Sequence, residues 1–174
     1  MSMRASGKSF IRVSVPLKLE LWRFAVPILW FGLVAAISFI EAPLKFQAPG
    51  ITIPLGLGIG RLVFFALNIV EGVLLAVLLA LTFWPGVRPA RGRVRSVILL
   101  AIVFVLKVGV VRPPLNARTD LVLAGANPGE SPWHYIYIGA DLLTMLLLIV
   151  LAVQTGRAIL ALEHKNYAPR PPSE

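Results

Sequence analysis

The sequence has no cysteine, two histidines, and eight acidic residues against seventeen lysines and arginines. The missing cysteine excludes disulfides, thiolate metal sites, iron–sulfur clusters and thiol nucleophiles together. The histidines, His134 and His164, flank opposite ends of one apolar stretch, which argues against a haem held by two histidines of a single subunit. No His-Glu-x-x-His, no Gly-x-Ser-x-Gly and no carboxylate pair in a motif context is present, so hydrolytic chemistry is poorly supplied. No cofactor or metal is expected, and an enzyme is the less favoured class. Charge is scarce as well: 14% of residues are Asp, Glu, Lys or Arg, where soluble domains carry about a quarter.

What fills the space instead is apolar side chain, 57% of 174 residues. A single water-soluble domain of this length cannot hide so much, so the solvent is read as lipid. Apolar runs near the ~20 residues that cross ~30 Å of hydrocarbon lie at about 21–40, 62–84, 94–111 and 133–155. Lipid offers no partner to backbone N–H and C=O groups, and barrel-type alternation is missing from the runs, so each is expected to be a helix. The expected fold is an all-α integral membrane protein, a four-transmembrane-helix bundle over 21–162. A basic segment (1–20) precedes it and a disordered tail (163–174) follows.

A net charge of +9 would suggest nucleic acid in a soluble protein. Here the basic residues border apolar runs, so membrane lipids are the expected partner and nucleic acid is not. Twelve of them, Arg4, Lys8, Arg12, Lys18, Arg23, Arg88, Arg91, Arg93, Arg95, Arg157, Lys165 and Arg170, fall on one side of the bundle. The other side receives Lys45, Arg61, Arg112 and Arg118, and Lys107 lies within a span. That bias places both termini in the cytoplasm and the protein in the cell membrane. A cleaved signal peptide is the competing reading of the first run. Pro27, Trp22 and Trp30 favour a kinked, interface-anchored span instead.

Residues 11–21 alternate apolar and polar, which predicts an extended lead-in confined by Pro16 to an edge. The connections 43–60 and 113–132 are rich in Pro, Gly and Asn and read as turn-containing loops. The run Gly56-Leu57-Gly58-Ile59-Gly60 has no preceding strand and no P-loop lysine, so a phosphate loop is not inferred.

The halves show a weak likeness. At an offset of 71, Glu41-Ala42-Pro43-Leu44 falls against Arg112-Pro113-Pro114-Leu115; at 73, Arg61, Asn68 and Glu71 fall against His134, Asp141 and Thr144. Spacings of seven and three put each triplet on one helical face. The second and fourth runs point the same way, so the halves read as two parallel-repeat helical hairpins.

Ionisable groups at membrane depth need partners or a wet cavity. The expected polar pocket or ion-pair network comprises Glu41, Arg61, Asn68, Glu71, Lys107, Arg112, His134, Asp141 and Thr144. Lys107 is expected opposite Glu71 or Asp141, whereas His134, beside Trp133, Tyr135 and Tyr137, is read as an interface belt residue.

The segments FIEAPLKF (39–46), GRLVFFALNIVEG (60–72), RPPLNARTD (112–120) and PWHYIYIGADLL (132–143) together resemble a family of small four-span membrane proteins with a domain of unknown function, similar to transmembrane protein 205. The resemblance covers about 21–156. It implies a four-helix fold and membrane residence, and no reaction or site residue.

Three functional classes are therefore carried forward. The leading one is a bundle that binds or conducts a small solute or protons through a polar outer half. The second is a structural or accessory subunit, docking through its outer loops and N-terminal segment as a homo-oligomer or with a partner membrane subunit. The third is a membrane enzyme on lipid-like substrates using His134 and Asp141.

Overall fold

The structure, a computed structural model, describes residues 15–85, 89–129 and 131–167. Four helices long and apolar enough to cross a membrane run over Leu17–Gln47, Ile53–Thr82, Arg91–Leu123 and Pro132–His164, named spans 1 to 4 here. No strand occurs among the described residues. Each span packs against its neighbours in sequence, and span 4 closes back on span 1. The protein is thus a four-helix, multi-pass membrane bundle.

The spans exceed the apolar runs that announce them. Thirty residues at the helical rise make span 2 about 45 Å long, beyond a ~30 Å hydrocarbon layer. The connection expected over 43–60 is mostly helical. Span 1 continues through a wide π-helical turn (Ala35–Glu41), the short α-helix Ala42–Leu44 and the 3-10 turn Lys45–Gln47. Span 2 then starts at Ile53, where the Thr52 hydroxyl accepts from Leu55 N–H at 3.3 Å and Pro54 occupies the first turn, where it loses no bond. Gly56 and Gly60 lie inside this helix one turn apart. A Cβ on Gly56 would overlap the Phe46 ring, and one on Gly60 would approach Lys45 Nζ to 2.8 Å. These glycines serve close packing of the returning chain.

The second expected loop, 113–132, is likewise helical over Arg112–Leu123 after a π-helical turn at Lys107–Val111. It ends where Gly125, at φ 87°, donates to Val122 O and Ala126 N–H reaches back to Leu121 O, a glycine-dependent helix stop. At the N-terminus the extended lead-in is corrected from residue 15 onward: Val15–Val34 is helix, and Pro16 fits its first turn. Residues 1–14 lie outside the described residues. So do 168–174 of the tail, whose 163–167 portion continues the helix to Tyr167.

Apolar residues face outward all round: Leu62, Val105, Leu146 and Leu160 are each at least 57% exposed. In a water-soluble protein such surface would drive association, and here it meets lipid. Inside, Val26, Trp30, Val34, Leu75, Leu78, Val97, Leu100 and Leu148 form one core in the half nearer the 82–91 connection. That end, rich in arginine, is the basic end.

A polar clamp closes the core there. Arg23 of span 1 donates to Leu81 O (2.9 and 2.7 Å) and Thr82 O (3.3 Å), filling carbonyls that the end of span 2 leaves without helical donors. It also pairs with Glu20 at 2.9 Å, and Arg93 of span 3 pairs with the other Glu20 oxygen. Arg23 and Glu20 are buried. Arg23→Met should lower the thermal unfolding midpoint in detergent, at a cost of about 2–4 kcal/mol, because Glu20 loses a partner and two carbonyls lose theirs. Arg23→Lys should recover only part of this, since an ammonium lacks the guanidinium fork.

Candidate functional site

Polar residues recur where the apolar core ends, in the middle of the bundle and toward its other end. Lys107 stands at the midpoint of span 3, where the helix widens into its π turn. Its Nζ lies 2.8 and 2.7 Å from the two oxygens of Glu71 on span 2, and 2.8 Å from Asp141 Oδ1 on span 4. An ammonium has three donors, and these contacts use them. The free oxygen of Asp141 accepts from the Ser38 hydroxyl at 2.6 Å, and Glu71 Oε1 also accepts from the Trp30 indole at 3.0 Å. Ser38 and Trp30 both belong to span 1. The contacts therefore close a ring through all four spans: Trp30, Glu71, Lys107, Asp141, Ser38.

The three charged side chains are sealed, with relative accessibilities of 0 to 1%. One ammonium faces two carboxylates, so the site holds one acidic group in excess. Above it, Tyr137 of span 4 donates to Asn68 Oδ1 of span 2 at 3.0 Å, and its ring lies 5.5 Å from Lys107 Nζ and stacks edge-on against Phe64. Asn68 Nδ2 is buried without a hydrogen-bond partner.

The other expected residues lie apart from this ring. Thr144 is buried, but its hydroxyl donates to Ala140 O of its own helix at 2.8 Å. Arg112 is buried over the Phe65 ring at 5.1 Å. Glu41 pairs with Lys45, four residues on, at 3.4 Å. Arg61 pairs with Asp120 in an exposed position. His134 is exposed against the edge of Tyr135. Charge balance between Glu41, Glu71, Asp141 and Arg61, Lys107, Arg112 is thus not expressed as one network: Glu41 pairs within span 1, Arg61 pairs with Asp120 of span 3, and Arg112 rests on an aromatic ring.

Sequence reasoning missed Trp30, Ser38 and Tyr137. Trp30 is fully buried at mid-depth, so its expected interface role is corrected, and Trp22, 63% exposed, keeps an outward position. A signal was available, since an indole N–H within a span needs an acceptor and few exist there. The matching triplets of spans 2 and 4 do share a pattern of burial: Asn68, Glu71, Asp141 and Thr144 turn inward, while Arg61 and His134 are exposed. Spans 1 and 3 share the π turn followed by proline.

No protein-family model, no curated protein and no solved structure matches the chain.

Removal of one member of a buried ion cluster leaves its partners uncompensated. Lys107→Met should cost about 3–5 kcal/mol, read as a lowered unfolding midpoint in detergent. Adding Glu71→Gln and Asp141→Asn to Lys107→Met should restore part of the loss; a triple variant no more stable than the single would show that charge is not what the lysine compensates.

Proposed function

We propose that the protein is a proton- or small-solute-handling bundle of the cell membrane, with both termini cytoplasmic, and that Glu71, Lys107 and Asp141 are its exchange site. The observation that carries this reading is the acidic group in excess at mid-membrane depth. An ion pair that only fixed helix order needs one carboxylate per ammonium. The second carboxylate adds a place where a proton, or a cation exchanging for it, can reside. Hydrogen-bond grammar singles out Asp141 as the exchanging member. Its free oxygen meets a hydroxyl, which donates to a carboxylate and accepts from a carboxylic acid equally well. Glu71 meets an indole, which can only donate. Asp141 also lies nearer the less basic end, since span 4 begins at Pro132.

The sealed geometry is then one state of a cycle, and access to Asp141 requires the distal ends of spans 1 and 4 to part. Orientation rests on the arginine bias of the basic end. Kinship with the four-span family similar to transmembrane protein 205 belongs to this proposal for the architecture alone.

A structural reading has its own support: every charged atom of the ring is partnered and closed off, as a device for helix order requires. On that reading the protein is an accessory subunit and co-purifies with a partner membrane chain or as a homo-oligomer in mild detergent. The two readings separate in proteoliposomes. Wild-type protein should dissipate an imposed pH gradient, followed with an entrapped pH dye, and Asp141→Asn should slow it by roughly tenfold or more while unfolding at a similar temperature. Wild-type flux no greater than that of empty liposomes, across protons and small cations, would overturn the proposal.

A further inference from the structure

We propose that the basic end carries a binding site for the phosphate headgroup of an anionic phospholipid, in the cavity between the end of span 2 and the start of span 3. The cavity measures about 840 Å³ and is lined by Phe83, Trp84, Pro85, Arg91, Val94 and Arg95 among others. It is independent of the Lys107 ring, which lies half a span away.

Three features of the lining point to this occupant. Arg91 and Arg95 are four residues apart, so they share one face of span 3, and both are exposed. Like charges at that spacing repel, and no carboxylate among the described residues pairs with either. Arg93, between them, turns the other way and is taken up by Glu20. The paired arginines are therefore positive charge left over after the clamp is satisfied, in a geometry that two guanidinium forks can present to one phosphodiester.

The remaining wall is apolar and aromatic, with Phe83 61% and Trp84 53% exposed. These rings directly follow the last helical residue of span 2, at the depth where aromatic side chains meet lipid headgroups. A soluble anion has no use for that wall. A lipid has, because its glycerol and upper acyl chain lie against the rings while its phosphate reaches the arginines. The combination selects an anionic lipid over a zwitterionic one: in phosphatidylcholine a choline ammonium cancels the phosphate charge, and two unneutralised arginines offer it no partner.

Native mass spectrometry of the full chain, released from micelles containing equal phosphatidylglycerol and phosphatidylcholine, tests the assignment. Wild-type protein should retain phosphatidylglycerol in preference. Arg91→Gln/Arg95→Gln should lower that retention roughly tenfold, while Arg157→Gln, an exposed arginine on span 4 near the same end, should leave it unchanged. Equal loss in Arg157→Gln would show diffuse charge attraction and overturn the site. So would full retention in the double variant, no lipid preference in the wild type, or displacement of the lipid by inorganic phosphate alone. If the double variant does not fold, Arg95→Gln alone carries the same comparison.

Discussion

Lys107 holds two carboxylates from two other helices at the centre of the bundle, and the arrangement of the four spans depends on that contact. In lipid the apolar faces of helices gain little from one another, because acyl chains solvate a leucine as well as a neighbouring helix does. Apolar packing alone therefore leaves rotation and vertical register weakly specified. A buried ammonium does not, since it tolerates only positions where its donors find acceptors. Glu71 sets span 2 against span 3, and Asp141 sets span 4 against span 3. Trp30 and Ser38 then tie span 1 to both remaining helices. No span can rotate or slide by a turn without leaving a charge or an indole N–H unpaired.

Two polar layers and one apolar layer follow along the bundle. The clamp of Glu20, Arg23 and Arg93 closes the basic end, the core around Leu78, Val97, Leu100 and Leu148 fills the next stretch, and the Lys107 ring lies beyond it. Trp30 joins the last two: its ring belongs to the apolar core, while its N–H reaches Glu71. On the proposed function the apolar core is the largest barrier, because the buried hydroxyls that flank it, Ser96, Thr144 and Thr155, are each taken up by a carbonyl of their own helix. Trp30 is the side chain whose movement would couple that barrier to the carboxylates, because it cannot leave the core without releasing a hydrogen bond to Glu71.

The existence of four spans was legible from composition and run length, and the depth of Glu71, Lys107 and Asp141 from position alone. Lengths were not. Proline and glycine at 43–60 and 113–132 have turn chemistry in water, and the same residues occur here at first helical turns and close helix contacts. The alternation over residues 11–21 lost to helix from Val15 onward because an extended segment needs a partner strand and no strand occurs among the described residues. Trp30 was misplaced because tryptophan is common at membrane interfaces, and a population preference was set above the need of one N–H for an acceptor. His134 satisfied the same helical spacing as its inward neighbours but sits in the first turn of span 4, and Arg61 is drawn outward to an exposed pair with Asp120 of span 3.

The π turns explain why the outer residues resist a simple helical projection. A proline has no N–H, so Pro43 leaves the carbonyl four residues before it without an α-helical donor, as do Pro113 and Pro114. The chain responds just upstream by shifting to wider bonds: Ala42 N–H donates to Ile37 O and Arg112 N–H to Lys107 O, five residues back in each case. On a regular helix, five residues turn through about 500°, so Arg112 would stand roughly 140° away from Lys107 and face the lipid. The wide turn brings the fifth residue back toward the starting face. Both Lys107 and Arg112 are buried in consequence. Lys107 and Arg112 thus owe their common inward face to a backbone irregularity that the prolines impose, and Ser38 reaches Asp141 from the equivalent turn of span 1. What looks in sequence like the end of two helices is the device that aims Ser38, Lys107 and Arg112 into the bundle.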